Sequence, residues 1–230
     1  MRVLVVTAIP RMLGFLAWFP TAMQSIMAQA WDGTLELFVP VGDKPKGTRY
    51  DRVTKKYEDA RRVALDGGFD AVWFAEYDMV MPPDALRRLC AVDADIAYGL
   101  YVWRRPPHVW NAYTYLDENT GVSLAQMPRL ARAAWGKQVE VKGVGHGCTF
   151  VRRHVLENIS FRRDGVACAD WYMALDAQEK GYRQVCDLGV ACGHMSLTPS
   201  PRTYWPDVTM PGLARVEIQR FEGVPEEQTE

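Results

Sequence analysis

Residues 73–82 read WFAEYDMVMP, an apolar run that ends on two carboxylates one residue apart, Glu76 and Asp78. In a strand, positions i and i+2 point to one side, so the pair could converge on a single ligand. Hard divalent cations such as Mn²⁺ or Mg²⁺ take oxygen ligands, and one or two carboxylates plus phosphate oxygens suffice. Spacing alone leaves that reading level with a pair of solvated acids capping a turn. Asp170, in CADWYMALDAQEKGY, is a further carboxylate near a helix start. As an N-cap it would stabilise its helix by ~1 kcal/mol. His194 follows the last apolar runs, and His146 sits in GVGHG, where a solvent-facing loop histidine is the expectation.

The segment YVWRRPPHVWNAYTY (101–115) combines arginines with aromatics. Arg104 and Arg105 could neutralise phosphate, while Trp103, Trp110 and Tyr113 could stack on a ring or simply cover the sheet. Upstream, Arg52, Lys55, Lys56, Arg61 and Arg62 crowd one helical stretch. A solvated face explains most of them, and only the family resemblance given below implies that Lys55 or Arg62 reaches a nucleotide.

These groups must be positioned by an α/β framework. Short β-rich apolar runs at 3–6, 35–39, 71–75 and 96–100 alternate with helical patterns, which predicts a mainly parallel sheet flanked by helices. In RYDRVTKKYEDARRVALDGG, Val53, Tyr57, Ala60 and Ala64 share one helical face and Gly67-Gly68 supplies the stop. Pro82-Pro83-Asp84 opens the next helix. The alternation then fails, and 101–116 reads as an irregular hairpin or surface loop. Beyond it lie a glycine turn with a short strand and helix, the helix of Asp170 ended by Gly181, and two short strands. Residues 197–230, rich in Pro and polar side chains, read as a partly flexible extension that packs loosely.

A chain of 230 residues with 48% hydrophobic and 24% charged residues has ample core for one domain. Its net charge of -1 argues against binding nucleic acid through bulk charge. Five scattered cysteines without a C-x-x-C pair point to free thiols in a reducing cytoplasm. Pro10-Arg11 and Pro20 break the apolar N-terminal stretch, so neither a signal peptide nor a membrane anchor is expected.

The stretch FDAVWFAEYDMVMPPDALRRL resembles the segment bearing the D-x-D motif in GT-A fold glycosyltransferases, especially the family-2-like group, with Glu76 in place of the first Asp. The resemblance spans about residues 1 to 196 and rests on the order of motifs. It implies a single Rossmann-related domain, with a nucleotide-binding half at 1–100 and an acceptor and metal half at 101–196. By that resemblance Asp78 and His194 would hold Mn²⁺ or Mg²⁺, and Glu76 and Tyr77 would lie toward the nucleotide-sugar. VLVVTAIPR looks like the first strand and its nucleotide turn, bringing in Thr7, Ala8 and Ile9, and ELFVPVGDK looks like the second, with Asp43 at the base or ribose. Gly145 and Gly147 match the glycine turn that lets backbone approach the donor sugar. Trp103, Arg104, Arg105, Trp110 and Trp171 fall on the acceptor side, and Asp170 matches the general base.

The expected activity is transfer of a sugar from a UDP- or GDP-sugar to an acceptor hydroxyl, by inverting single displacement. Compact transferases of this kind act on glycans, small molecules, proteins or hydroxymethylated DNA bases, and the last suits the aromatics of 103–115 with their arginines. A nucleotidyltransferase and a non-catalytic nucleotide-sugar-binding module are the competing classes. TAIPRMLGF lacks the glycine- and lysine-rich phosphate loop of the former.

Overall fold

The computed structural model describes residues 1–9, 19–40, 48–163, 167–196 and 201–218. In β1 (Arg2–Val6) the residues Val3 to Val6 are all buried, as expected of a strand covered on both faces. After α1 (Phe19–Met27), β2 (Thr34–Phe38) pairs in parallel with β1. The helix α2 (Arg49–Asp66) begins in a capping box: the Thr48 hydroxyl accepts the Asp51 amide, and the Asp51 carboxylate accepts the Thr48 amide. Tyr57, Ala60 and Ala64 form its buried stripe, with Val53 half-buried. Gly68, at φ +66°, turns the chain into β3 (Ala71–Ala75). Val72, Trp73 and Phe74 are wholly buried there, each contributing roughly 2–3 kcal/mol of apolar burial.

The chain continues through β4 (Met79–Val80), α3 (Ala85–Ala91) and β5 (Ile96–Leu100), the last buried throughout. It goes on through β6 (Ala112–Leu116), β7 (Gly121–Ser123), α4 (Pro128–Ala134), β8 (Gln138–Glu140), β9 (Gly143–Val144) and β10 (Cys148–Arg152). The final elements are α5 (Arg153–Asn158), α6 (Ala169–Glu179), β11 (Gln184–Ala191), β12 (Gly193–Ser196), β13 (Arg202–Pro206) and β14 (Ala214–Ile218).

The main sheet has the order β2-β1-β3-β10-β5-β11-β8. β2, β1, β3, β5 and β11 run in one direction, while β10 and β8 oppose them. The mixed α/β class expected from the alternation of runs therefore holds, but one sheet spans both of the expected halves. β10 separates β3 from β5, which no local pattern in CTFVR announces.

Two smaller sheets, β14-β13-β12-β4 and β7-β6-β9, frame the carboxyl ends of these strands. One sequence expectation holds and one changes here. The irregular hairpin expected at 101–116 is present, with Val102 bridging Trp110 antiparallel and 112–116 running on as β6, paired irregularly with β7. The segment 201–218 packs: β13 pairs with β12, and Tyr204 and Leu213 are buried. Residues 219–230 lie outside the described part.

Candidate functional site

A cavity of about 310 Å³ opens beyond β3 and β5, at the strand ends where open α/β sheets bind ligands. Glu76, Asp170, Arg104, Arg105 and His194 line it. Tyr50, Val53 and Tyr57 reach it from α2, Tyr113 and Leu116 from β6, and Trp171 from α6.

The acids at 76 and 78 do not continue the strand. The Glu76 amide donates to the Gly147 carbonyl at 3.1 Å, and the Met79 amide donates back to the Glu76 carbonyl at 3.1 Å, so the chain turns between the two acids. Their side chains part company. Glu76 faces the cavity, where its Oε1 accepts the Tyr57 hydroxyl at 2.6 Å. Burial, then the charge of Asp78, pushes its carboxyl up to about 7. Asp78 is 2% exposed and does not line the cavity. Its Oδ2 accepts Arg104 Nη1 at 2.6 Å and stands 3.8 Å from His194 Nε2. Burial alone would raise its carboxyl, but His194 and then Arg104 hold it below the usual range.

His194 Nδ1 lies 2.8 Å from the Val102 carbonyl, which can only accept, so Nδ1 carries a proton and the bond fixes the ring with Nε2 turned to Asp78. Asp78 Oδ1 is buried with no hydrogen-bond partner. An orphaned carboxylate oxygen with an imidazole nitrogen beside it suits a cation that takes its other ligands from phosphate and water. Among the described residues no third His, Cys, Asp or Glu completes a ready-made metal cluster.

Asp170 is the second residue of α6; the N-cap is Cys168, so the expected capping role does not apply. Its Oδ1 accepts the Trp171 amide at 2.9 Å, at the helix end where an acid is favoured. Gly145 is packed against it: a Cβ there would fall 2.2 Å from the Tyr101 hydroxyl, 2.3 Å from Asn111 Nδ2 and 2.8 Å from Asp170 Oδ2. Gly147 is similarly closed by the Tyr101 ring at 2.8 Å.

Other expected residues fall elsewhere. Trp110 is fully buried and its indole donates to the Leu213 carbonyl at 2.7 Å, so it is a core residue and not an acceptor platform. His146 is 1% exposed rather than solvent-facing; it stacks on Phe74 at 4.9 Å, and burial drops its value to about 4. Lys55 is paired with Asp59 at 2.7 Å and Arg62 with Glu58 at 3.4 Å, both in a shallow surface depression apart from the cavity. Thr7 and Ala8 are buried, and neither lines the cavity. Tyr77 is buried beside the Arg104 guanidinium. Asp43 lies outside the described residues. Trp103, 44% exposed, stands at the cavity as expected, and Trp171 is held there by its indole, which donates to the Asp117 carbonyl at 2.8 Å.

Four contributors escaped the sequence reading. Lys56 turns inward and its ammonium donates to the Ile9 carbonyl, which secures the end of β1. Its place four residues before Ala60 on the buried stripe was a usable signal. Tyr57 had been assigned to that stripe, but its hydroxyl reaches Glu76. Tyr101 and Asn111 meet under Gly145, a contact that depends on two turns coming together.

No family model and no curated protein matches the sequence. Solved structures do match. A197 from STIV shares 16% identity over 98% of this chain and 97% of its own, with a TM-score of 0.60. The catalytic domain of Drosophila beta1,4-galactosyltransferase 7, in complex with xylobiose, aligns at 13% identity over 87% of this chain and 67% of that one, with a TM-score of 0.49. S. aureus TarS 1-349 aligns at 15% identity over 81% and 58%, also with a TM-score of 0.49. At these identities the likeness speaks to fold alone, and A197 shares the architecture along nearly its whole length.

Proposed function

We propose that the chain is a GT-A type glycosyltransferase that moves a sugar from a UDP- or GDP-sugar to an acceptor hydroxyl. The observation that carries the reading is the meeting, in one cavity at the strand ends, of a helix-borne carboxylate, Asp170, with Arg104 and His194, both of which contact Asp78 buried behind the cavity wall. Arg104 and Arg105 supply positive charge for a diphosphate, and Gly145 brings backbone to the cavity wall, whereas Gly147, expected beside it, does not line the cavity. Asp78 and His194 would hold Mn²⁺ or Mg²⁺, which when bound neutralises charge growing on the departing diphosphate.

Asp170 accepts the acceptor hydroxyl's proton as that oxygen attacks the anomeric carbon. The bond from the anomeric carbon to the phosphate oxygen breaks, and its electron pair leaves with the diphosphate. Tyr50, Trp103 and Trp171 offer apolar faces to a ring-shaped acceptor, sugar or base, beside the reacting carbon.

Calorimetry with UDP and GDP, each with and without Mn²⁺, tests the reading. Binding of one nucleotide that strengthens with Mn²⁺ is expected, followed by metal-dependent hydrolysis of a matching sugar nucleotide. Nucleotide binding without any hydrolysis or transfer would instead favour the non-catalytic module, and no nucleotide binding at all would sink both.

A further inference from the structure

We infer that Arg104 and a divalent cation are alternative partners of Asp78, and that a diphosphate decides between them by drawing Arg104 away. The inference rests on the reading of the cavity as a nucleotide-sugar site.

Three observations carry it. Asp78 does not line the cavity, whereas Arg104 and His194 do, so a cation entering from the cavity meets the guanidinium first. The two side chains differ in exposure, 28% for Arg104 against 3% for Asp78, so Arg104 is the partner with room to move. Finally, Arg104 Nη1 sits 2.6 Å from the same Oδ2 that faces His194 Nε2 at 3.8 Å, and 3.1 Å from the Met195 carbonyl. A cation between Asp78 and His194 would therefore be pressed against a guanidinium, and like charges at such a separation repel strongly inside a protein.

Without nucleotide, Arg104 neutralises Asp78 and bars the metal. A diphosphate offers the guanidinium a two-pronged anionic partner in the cavity and frees Oδ2 for the cation. Metal and nucleotide are then positively coupled, and linkage makes the coupling equal in both directions.

The test is Mn²⁺ titration by calorimetry of wild type, Arg104→Gln and Arg104→Lys, each with and without UDP or GDP, corrected for Mn²⁺–nucleotide complexes in buffer. Wild type is expected to bind Mn²⁺ on the order of 10-fold more tightly with nucleotide present. Arg104→Gln should bind Mn²⁺ about 10-fold more tightly than wild type without nucleotide, and lose most of the coupling. Arg104→Lys should bar Mn²⁺ like wild type without nucleotide, because it keeps the charge, but show weaker coupling, because an ammonium cannot make the two-pronged contact to a diphosphate. Wild type that binds both ligands without coupling overturns the inference alone, whatever the variants do. So does an Arg104→Gln protein that folds, by circular dichroism, yet binds Mn²⁺ no better than wild type without nucleotide. Wild type that binds neither ligand overturns the functional reading with it.

Discussion

Tyr57 donates a 2.6 Å hydrogen bond to Oε1 of Glu76 and so ties the middle of α2 to the turn after β3. The bond fixes the carboxyl at the cavity and favours its charged form, but burial and then the Asp78 charge outweigh it and push the group up to about 7.

A pH dependence follows with a definite sign. The folded value lies above the ordinary 4.5 of a glutamate, so the native state holds the proton more strongly. The stabilisation is complete below pH 4.5 and is lost as pH rises through 7. Wild type should lose up to about 3 kcal/mol from this group across that window. Glu76→Gln, which can still accept from Tyr57, should flatten the slope in urea unfolding at pH 5 and pH 8. Equal slopes would show that the two carboxyls do not interact as described.

His146 acts in the opposite sense. Burial between Phe74, Tyr57 and Phe161 depresses it to about 4, only partly offset by Asp170. Its contribution is present above 6.5 and is lost as pH falls through 4, on the order of 3 kcal/mol. His146→Phe should keep the ring packing and remove that acid sensitivity, measured as the change in Tm between pH 7.5 and 4.5. An unchanged acid sensitivity in the variant would count against the neutral buried ring.

Asp170→Asn should lower transfer by about 10²- to 10⁴-fold, the usual worth of a general base, with nucleotide affinity within about 2-fold. Calorimetry and a transfer assay on the same preparation separate the two. Normal turnover in this variant would refute Asp170 as the base.

Gly145→Ala drives a methyl into the Tyr101 hydroxyl, Asn111 and Asp170. Overpacking of this kind costs about 1–3 kcal/mol, and the displaced Asp170 should cut activity as well. Gly68→Ala is the control: its φ of +66° makes it costly by about 1 kcal/mol, yet nothing stands within 4 Å of the added methyl. It should lower Tm and leave nucleotide binding alone. Loss of nucleotide binding in Gly68→Ala as well would mean that general destabilisation explains both.

The apolar runs at 71–75 and 96–100 announced buried strands, and the stripe of Tyr57, Ala60 and Ala64 announced the face of α2. Asp170 near a helix start was equally legible, since it follows from a local element, whereas His194, expected after the last strands, lies within β12 with β13 and β14 beyond it. Consecutive residues carry that information because the periods of 2 and 3.6 are properties of the backbone itself.

What the sequence could not decide was which distant segments meet. The turn at 76–79 separates two acids that strand geometry would have aligned, and it depends on Gly147 accepting the Glu76 amide across β10. Trp110 and Trp103 have the same composition on paper, but one is sealed beneath Leu213 and the other stands at the cavity. Burial and counter-charge are settled by contacts far apart in the chain, so Asp78 acquired Arg104 as its partner only when the tertiary structure brought them within 2.6 Å.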